Sequence, residues 1–163
     1  MTFEEYQREA VKFRTETADN EEYLTLGLIE EVGEAAGKLA KLRRDGVWNE
    51  KAFIKELGDI LWFVANLADY YDRNNNTDFF AELKDCFSQE FDDDRFVGDI
   101  MRLLIYWVGL FDNELEHIAD IVFEVGGIAK WHGYTLEQVA EINLAKLRDR
   151  AARGKIQGNG DER

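Results

Sequence analysis

The sequence predicts an all-α protein of one domain, and three observations support this fold class. The 163 residues contain no proline, which interrupts helix interiors, whereas average usage would give about eight. The strong helix formers Leu, Ala, Glu and Lys recur along the chain. Apolar residues recur at helical spacing, and no segment shows the alternation of a strand. The length suits a single domain over residues 1–163 with a substantial core.

The predicted helices follow one another with short polar or glycine-containing breaks. They cover residues 3–15, 22–43, 50–72, 79–91, 97–111, 115–132 and 135–153. Asp45-Gly46 provides the break between the two longest helices. Thr135 opens the last helix with a capping-box pattern. The glycine-rich, polar end over residues 154–163 predicts a flexible tail.

The composition excludes several classes of partner. The formal net charge of -14 argues against a nucleic-acid-binding surface, which needs clustered lysine and arginine. The single cysteine, Cys86, cannot form an internal disulfide, which fits a reducing compartment. No signal-peptide pattern and no run of 18 apolar residues appears, so we expect no membrane partner. Together these features predict a soluble cytoplasmic protein.

Two pairs of acidic residues are placed symmetrically about the predicted turn. Glu31 and Glu34 are three residues apart on the first long helix, and Glu56 and Asp59 are three apart on the second. Residues with this spacing lie on one face of a helix. If the helices fold back at the turn, the first acid of each pair comes level with the second acid of the other. The spacing therefore predicts four carboxylates at one height between two helices.

Two of these acids fall on apolar stripes, which favours a metal site over a solvated surface. Glu31 lies on the apolar stripe of the first long helix, and Glu56 on that of the second. An unpaired charge in such a position is costly, so a cation is expected to hold the cluster together. Carboxylates without Cys or His suit Mg²⁺ or Mn²⁺ better than zinc. Glu30, beside the cluster, is a candidate to orient or deprotonate a water, with a solvated position as the alternative.

Residues 30–34 (EEVGE) and 56–59 (ELGD) together resemble the EExxE and ExxD motifs of the MazG-like branch of the all-α nucleoside triphosphate pyrophosphohydrolases. The resemblance continues in residues 134–163, which look like the closing segment of phage-type and actinobacterial-type members. It implies an antiparallel helical bundle of the MazG-like type. About sixty residues, roughly 70–130, intervene as an extra central helical segment. That segment would either complete the bundle within one chain or form an interface.

The resemblance implies Mg²⁺-dependent cleavage of a (deoxy)nucleoside triphosphate between its α- and β-phosphates, with Mn²⁺ as an alternative ion. The products would be a nucleoside monophosphate and pyrophosphate. The implied metal ligands are Glu31, Glu34, Glu56 and Asp59. The implied catalytic residues are Glu30, Glu31 and Glu34. The family resemblance also implies a homodimer or homotetramer.

The substrate-binding residues implied by the resemblance come from both matching parts of the chain. They are Lys38, Trp62, Asn66, Asn143, Lys146, Arg150 and Arg153. Lys38, Lys146 and the arginines would contact phosphates, and Trp62 would line the base pocket unless it is simply a core residue. The base and the sugar stay open.

Two other functions remain compatible with the pattern. A non-catalytic nucleotide-binding or partner-binding bundle would keep the helices without turnover. A di-iron carboxylate bundle would usually need Glu-x-x-His pairs, and neither His117 nor His132 follows a glutamate by three residues. Pyrophosphohydrolysis is therefore the preferred prediction.

Overall fold

The computed structural model describes residues 1–75, 78, 83, 85–88, 96–109 and 115–155. Six α-helices lie in this part of the chain, with no strand among the described residues. They are α1 (Phe3–Ala10), α2 (Glu21–Asp45), α3 (Glu50–Asn75), α4 (Val97–Gly109), α5 (Leu115–Trp131) and α6 (Leu136–Ala152). Short 3₁₀ turns occupy Val11–Phe13, Glu16–Ala18 and Cys86–Ser88. The all-α prediction is confirmed, whereas most of the helix predicted at 79–91 and of the tail lies outside the described residues.

Capping residues mark both ends of α2 and the starts of α1 and α6. The Asn20 side chain accepts a hydrogen bond from the Tyr23 backbone N–H and so caps the start of α2. Gly46 follows the end of α2 in the left-handed conformation, with φ of 68°, which glycine adopts at little cost. The chain turns there and enters α3 after three residues. Capping boxes at Thr2 and Thr135 start α1 and α6.

Helix α3 is the centre of the fold. It pairs with α2, and it also contacts α1, α5 and α6. Residues on more than one side of α3 are therefore buried, including Leu57, Ile60, Leu61 and Val64. Helix α3 as a whole packs against four other helices, which makes it a rigid support for a site.

The central segment forms a second hairpin that packs on the first within the same chain. Helices α4 and α5 lie against each other, α4 contacts α2, and α5 contacts α3. Four helices thus form a bundle, and α1 and α6 cover the remaining side of α3. Residues 70–130 were expected either to complete the bundle within one chain or to form an interface. The described helices of this segment pack against their own chain.

Two glycines allow helices to approach closely around α3. A Cβ atom at Gly27 would lie 2.2 Å from the Phe63 ring, so the ring of Phe63 on α3 packs directly against the backbone of α2. A Cβ atom at Gly58 would lie 2.9 Å from the Asn143 Cβ atom, which marks a similar approach of α6. Gly33 has no neighbouring atom within 4 Å of an added Cβ. These contacts bring α2, α3 and α6 together at one level.

Candidate active site

Three carboxylates converge where α2 and α3 face each other. Glu31, Glu56 and Asp59 each offer an oxygen atom, and these atoms all lie within 4.8 Å of one another. Glu56 is 1% exposed, whereas Glu31 and Asp59 are half-buried and border the opening of the cluster. The hairpin thus brings together three of the four acids in the symmetric pairs.

Glu34 and Glu30 lie outside the group of three converging acids. Both side chains are exposed on α2, and Glu34 is not among the three converging acids. The charge of Glu34 nevertheless acts on Glu31 and helps to raise its pKa. The structure therefore places Glu34 close enough for an electrostatic effect, on the solvent side of the buried carboxylates.

Two lysines compensate the charge of the buried acids. The Lys38 ammonium lies 2.5 Å from Glu56 Oε1, and the Lys146 ammonium pairs with Asp59 Oδ2. Lys38 comes from α2 and Lys146 from α6, so both walls of the site supply a cation. Because burial weakens screening by water, such pairs interact more strongly here than on the surface. The cluster is thus partly neutralised by its own chain.

Glu31 is the acid with the least charge compensation in the cluster. Burial, and then the negative charges of Asp59, Glu56 and Glu34, raise the pKa of Glu31 to about 8 from the ordinary value of 4.5. Lys146 acts in the opposite direction but does not outweigh them. At neutral pH and without a bound cation, Glu31 therefore carries a proton. The two lysine pairs and this proton thus offset negative charge in the cluster.

Asn143 contacts the acidic cluster directly. Its Nδ2 atom donates a hydrogen bond to Asp59 Oδ1 over 2.9 Å, and its side chain is 1% exposed. The Tyr6 hydroxyl donates to Asn143 Oδ1 over 3.0 Å. Both oxygens of Asp59 thus have partners on α6. The sequence interpretation missed Tyr6, because a tyrosine on the apolar face of an amphipathic helix looks like an ordinary core residue.

Trp62 and Asn66 continue along α3 from Asp59, and both have partners within the chain. The Trp62 indole N–H donates to the Ala10 carbonyl over 3.1 Å, and its ring meets Phe63 edge-on at 4.9 Å. Asn66 is fully buried and donates from Nδ2 to the Trp62 carbonyl over 2.8 Å. Trp62 is partly exposed, whereas Asn66 is fully buried.

The predicted phosphate-binding residues of the last helix lie along one side of α6. Lys146, Arg150 and Arg153 follow Asn143 at three- and four-residue spacing, so these side chains project in similar directions. Arg150 is 8% exposed, and Arg153 is exposed and pairs with Asp149 at 2.7 Å. Lys146 reaches the acidic cluster, and the two arginines extend this basic side toward the end of the helix.

Comparison with known proteins shows a similarity that covers part of the chain. Residues 19–87 match the family model of the MazG nucleotide pyrophosphohydrolase domain. The matched region contains α2 and α3, and with them every acid of the cluster.

A phage protein is similar to the chain over a short stretch. The chain is 46% identical over 55 residues to the gene 37 protein of Mycobacterium phage L5. That alignment spans 31% of this chain and 48% of the phage protein, so it covers about half of the relative's length. No solved structure matches the chain. Among the described residues, no helix combines the length and apolarity needed to cross a membrane.

The donor atoms of this site fit a divalent cation. The three converging groups are carboxylates, and hard cations such as Mg²⁺ and Mn²⁺ prefer oxygen ligands. Burial, and then repulsion by the neighbouring acids, raise the pKa of Glu31. A divalent cation would replace the proton of Glu31 and relieve this repulsion. The composition and charge of the site therefore suit a metal.

Proposed function

We propose that the protein is a metal-dependent nucleotide pyrophosphohydrolase that cleaves a (deoxy)nucleoside triphosphate to the monophosphate and pyrophosphate. The observation that carries this proposal is the convergence of Glu31, Glu56 and Asp59 within 4.8 Å on the two helices of the MazG match. We propose these three and Glu34 as ligands of Mg²⁺, with Mn²⁺ as an alternative. The bound ion would neutralise phosphate charge and activate a water.

The residues of α2 divide into buried and exposed groups with different tasks. With a cation bound, Glu31 would be deprotonated and would serve as a ligand. Glu34 and Glu30 are exposed on the same helix, where water has access to them. We propose that Glu34 would complete the ligand set. Glu30 would accept a proton from the attacking water, since it is an exposed carboxylate next to Glu31 in the sequence.

Lysines and arginines near the acids are suited to hold the triphosphate. Lys38 and Lys146 neutralise Glu56 and Asp59 in the structure described here. If a bound cation neutralised Glu56 and Asp59, the ammonium groups of Lys38 and Lys146 would become available to phosphate oxygens. Arg150 and Arg153 continue the basic side of α6 and are proposed to hold the outer phosphates. The half-exposed Trp62 ring, anchored through its N–H to Ala10, is proposed to line the base pocket.

A panel of canonical and modified nucleoside triphosphates, assayed for pyrophosphate release with Mg²⁺, tests this function. We expect turnover of at least one substrate, and loss of about 100-fold or more in Glu34→Gln and Asp59→Asn. Glu22→Gln is the matched control, because Glu22 is an exposed acid on the same helix, outside the carboxylate cluster. Full activity in both site variants would contradict the proposal.

One observation favours a second function, a non-catalytic nucleotide-binding bundle. Lysines of the same chain pair with Glu56 and Asp59, so two of the three converging acids have a counter-charge without a metal. Nucleotide binding with no turnover of any member of the panel in excess Mg²⁺ would support this alternative. A partner-binding role would show neither binding nor turnover of nucleotides.

A further inference from the structure

A chain of two hydrogen bonds connects the core of α1 to a carboxylate of the acidic cluster. Tyr6 is fully buried, and its hydroxyl donates to Asn143 Oδ1 over 3.0 Å. Asn143 Nδ2 donates in turn to Asp59 Oδ1 over 2.9 Å. The three groups come from α1, α6 and α3, and more than 80 residues separate Asp59 from Asn143 along the sequence.

The direction of these bonds determines the orientation of the Asn143 amide. A carboxylate only accepts hydrogen bonds, so the amide must present its N–H₂ group to Asp59. The opposite end of the amide is then an acceptor, and it needs a donor because the residue is buried. The Tyr6 hydroxyl supplies that donor. Burial and the charge of Asp59 raise the pKa of Tyr6, so the hydroxyl stays protonated.

The groups packed around these two hydrogen bonds leave the Asn143 amide little freedom to move. Gly58 lies against Asn143, and an added Cβ at Gly58 would be 2.9 Å from the Asn143 Cβ atom. The ring of Tyr6 packs against Phe87 with centroids 5.9 Å apart, and against Phe3 at 6.4 Å. Close backbone approach on one side and aromatic packing on the other fix both ends of the link.

We propose that Tyr6 is a positioning residue of the metal site, acting through Asn143 to hold the Asp59 carboxylate in place. This inference rests on the proposed function and assigns Asn143 to the support of a ligand, where the sequence interpretation had it contact substrate. Hydrogen bonds to a ligating carboxylate orient it, and removing such a partner typically weakens metal affinity about 10- to 100-fold. Lys146 holds the other oxygen of Asp59, so the two contacts together define the direction of the carboxylate.

Binding of Mn²⁺ to the otherwise metal-free protein tests this proposal without using activity. Tyr6→Phe removes only the hydroxyl and keeps the ring, and we expect Mn²⁺ to bind about 10-fold more weakly. The Mg²⁺ concentration for half-maximal activity should rise by a similar factor.

Tyr71→Phe is the matched control. Tyr71 is also buried, at 1% exposure, and its hydroxyl donates to the Glu21 carboxylate over 2.9 Å. It lies on α3 about 18 Å along the helix from Asp59. Both substitutions delete a hydroxyl bonded to a side-chain oxygen, so both lower stability, but only Tyr6→Phe should change Mn²⁺ affinity. Equal Mn²⁺ affinity in Tyr6→Phe and Tyr71→Phe would overturn the positioning role.

A second variant separates this inference from the proposed function and guards against a folding defect. Asn143→Ala should weaken Mn²⁺ binding at least as much as Tyr6→Phe, and the double variant should bind no more weakly than Asn143→Ala alone. Additive losses would overturn the proposed link. If the wild type binds no divalent cation, the metal-dependent function itself fails. If the wild type binds Mn²⁺ and both single variants bind it equally well, the positioning roles of Tyr6 and Asn143 fail while the metal-dependent function stands.

Discussion

Replacing Glu31 with glutamine is expected to stabilise the protein in the absence of divalent cations, although the residue belongs to the proposed site. The pKa of Glu31 is about 8 in the folded protein, against 4.5 ordinarily. Below pH 4.5 Glu31 is protonated in both the folded and the unfolded states, so it costs nothing. As the pH rises to 8, the unfolded chain releases the proton while the folded chain retains it. The free energy of unfolding therefore falls with rising pH.

The size of this effect follows from the two pKa values. The penalty is about 1 kcal/mol at pH 5 and about 4 kcal/mol at pH 8, where it corresponds to a melting temperature about 10 °C lower. Glutamine carries no titrating proton and avoids this penalty. We expect Glu31→Gln to unfold at a higher temperature than the wild type at pH 8 in a chelator, with a smaller difference at pH 5.

Thermal or urea unfolding at pH 5, 6, 7 and 8 in a chelator provides the measurement. Glu22→Gln, an exposed acid on the same helix, should follow the wild type at every pH. Addition of Mg²⁺ at pH 8 should stabilise the wild type and have less effect on Glu31→Gln. If the wild type and Glu31→Gln lose stability in parallel between pH 5 and 8, the electrostatic description of the cluster is wrong.

The remaining predictions concern the contacts that build the site. Gly27→Ala should destabilise the fold by about 1–3 kcal/mol, because its Cβ would lie 2.2 Å from the Phe63 ring, whereas Gly33→Ala should stabilise it by up to about 1 kcal/mol. Urea denaturation compares the two, and equal effects would contradict the packing. In the presence of a chelator, Lys38→Met should destabilise the protein by about 3 kcal/mol, because Glu56 loses the ammonium group 2.5 Å away. Added Mg²⁺ should restore part of this stability. Melting curves with and without Mg²⁺ measure it, and an unchanged curve in chelator would refute the pairing. Asn20→Ala should cost about 1 kcal/mol through loss of the α2 cap, with the Mn²⁺ affinity unchanged. Unfolding and Mn²⁺ titration check both parts, and a change in affinity would show that the start of α2 communicates with the site.

The helical hairpin was predictable because its signals are local. Apolar periodicity and the Asp45-Gly46 break lie within the helices or next to them, and they placed α2 and α3 within a few residues of their observed bounds. The convergence of acids followed from helical spacing alone. The spacing predicted that Glu34 would converge with the other three acids. Glu34 instead lies outside the cluster that contains Glu31, because its side chain is exposed.

The charge compensation and the support of Asp59 were not predictable from the same signals. Asn143 and Lys146 reach Asp59 from 84 and 87 residues away, and Tyr6 reaches Asn143 from 137 residues away. Such contacts depend on how α1 and α6 pack across α3, which periodicity does not specify. The central hairpin of α4 and α5 is a similar case, because its packing on α2 and α3 has no motif in the sequence.

The dependence of pyrophosphate release on Mg²⁺ in the wild type and in Glu56→Gln tests the central claim most directly. Glu56 is the most buried of the three converging acids, so its carboxylate has no solvent role that would explain an effect. The account predicts equal amounts of nucleoside monophosphate and pyrophosphate from the wild type, no product in chelator, and a loss of at least about 100-fold in folded Glu56→Gln. Turnover that persists in chelator, or at the wild-type rate in Glu56→Gln, would contradict it.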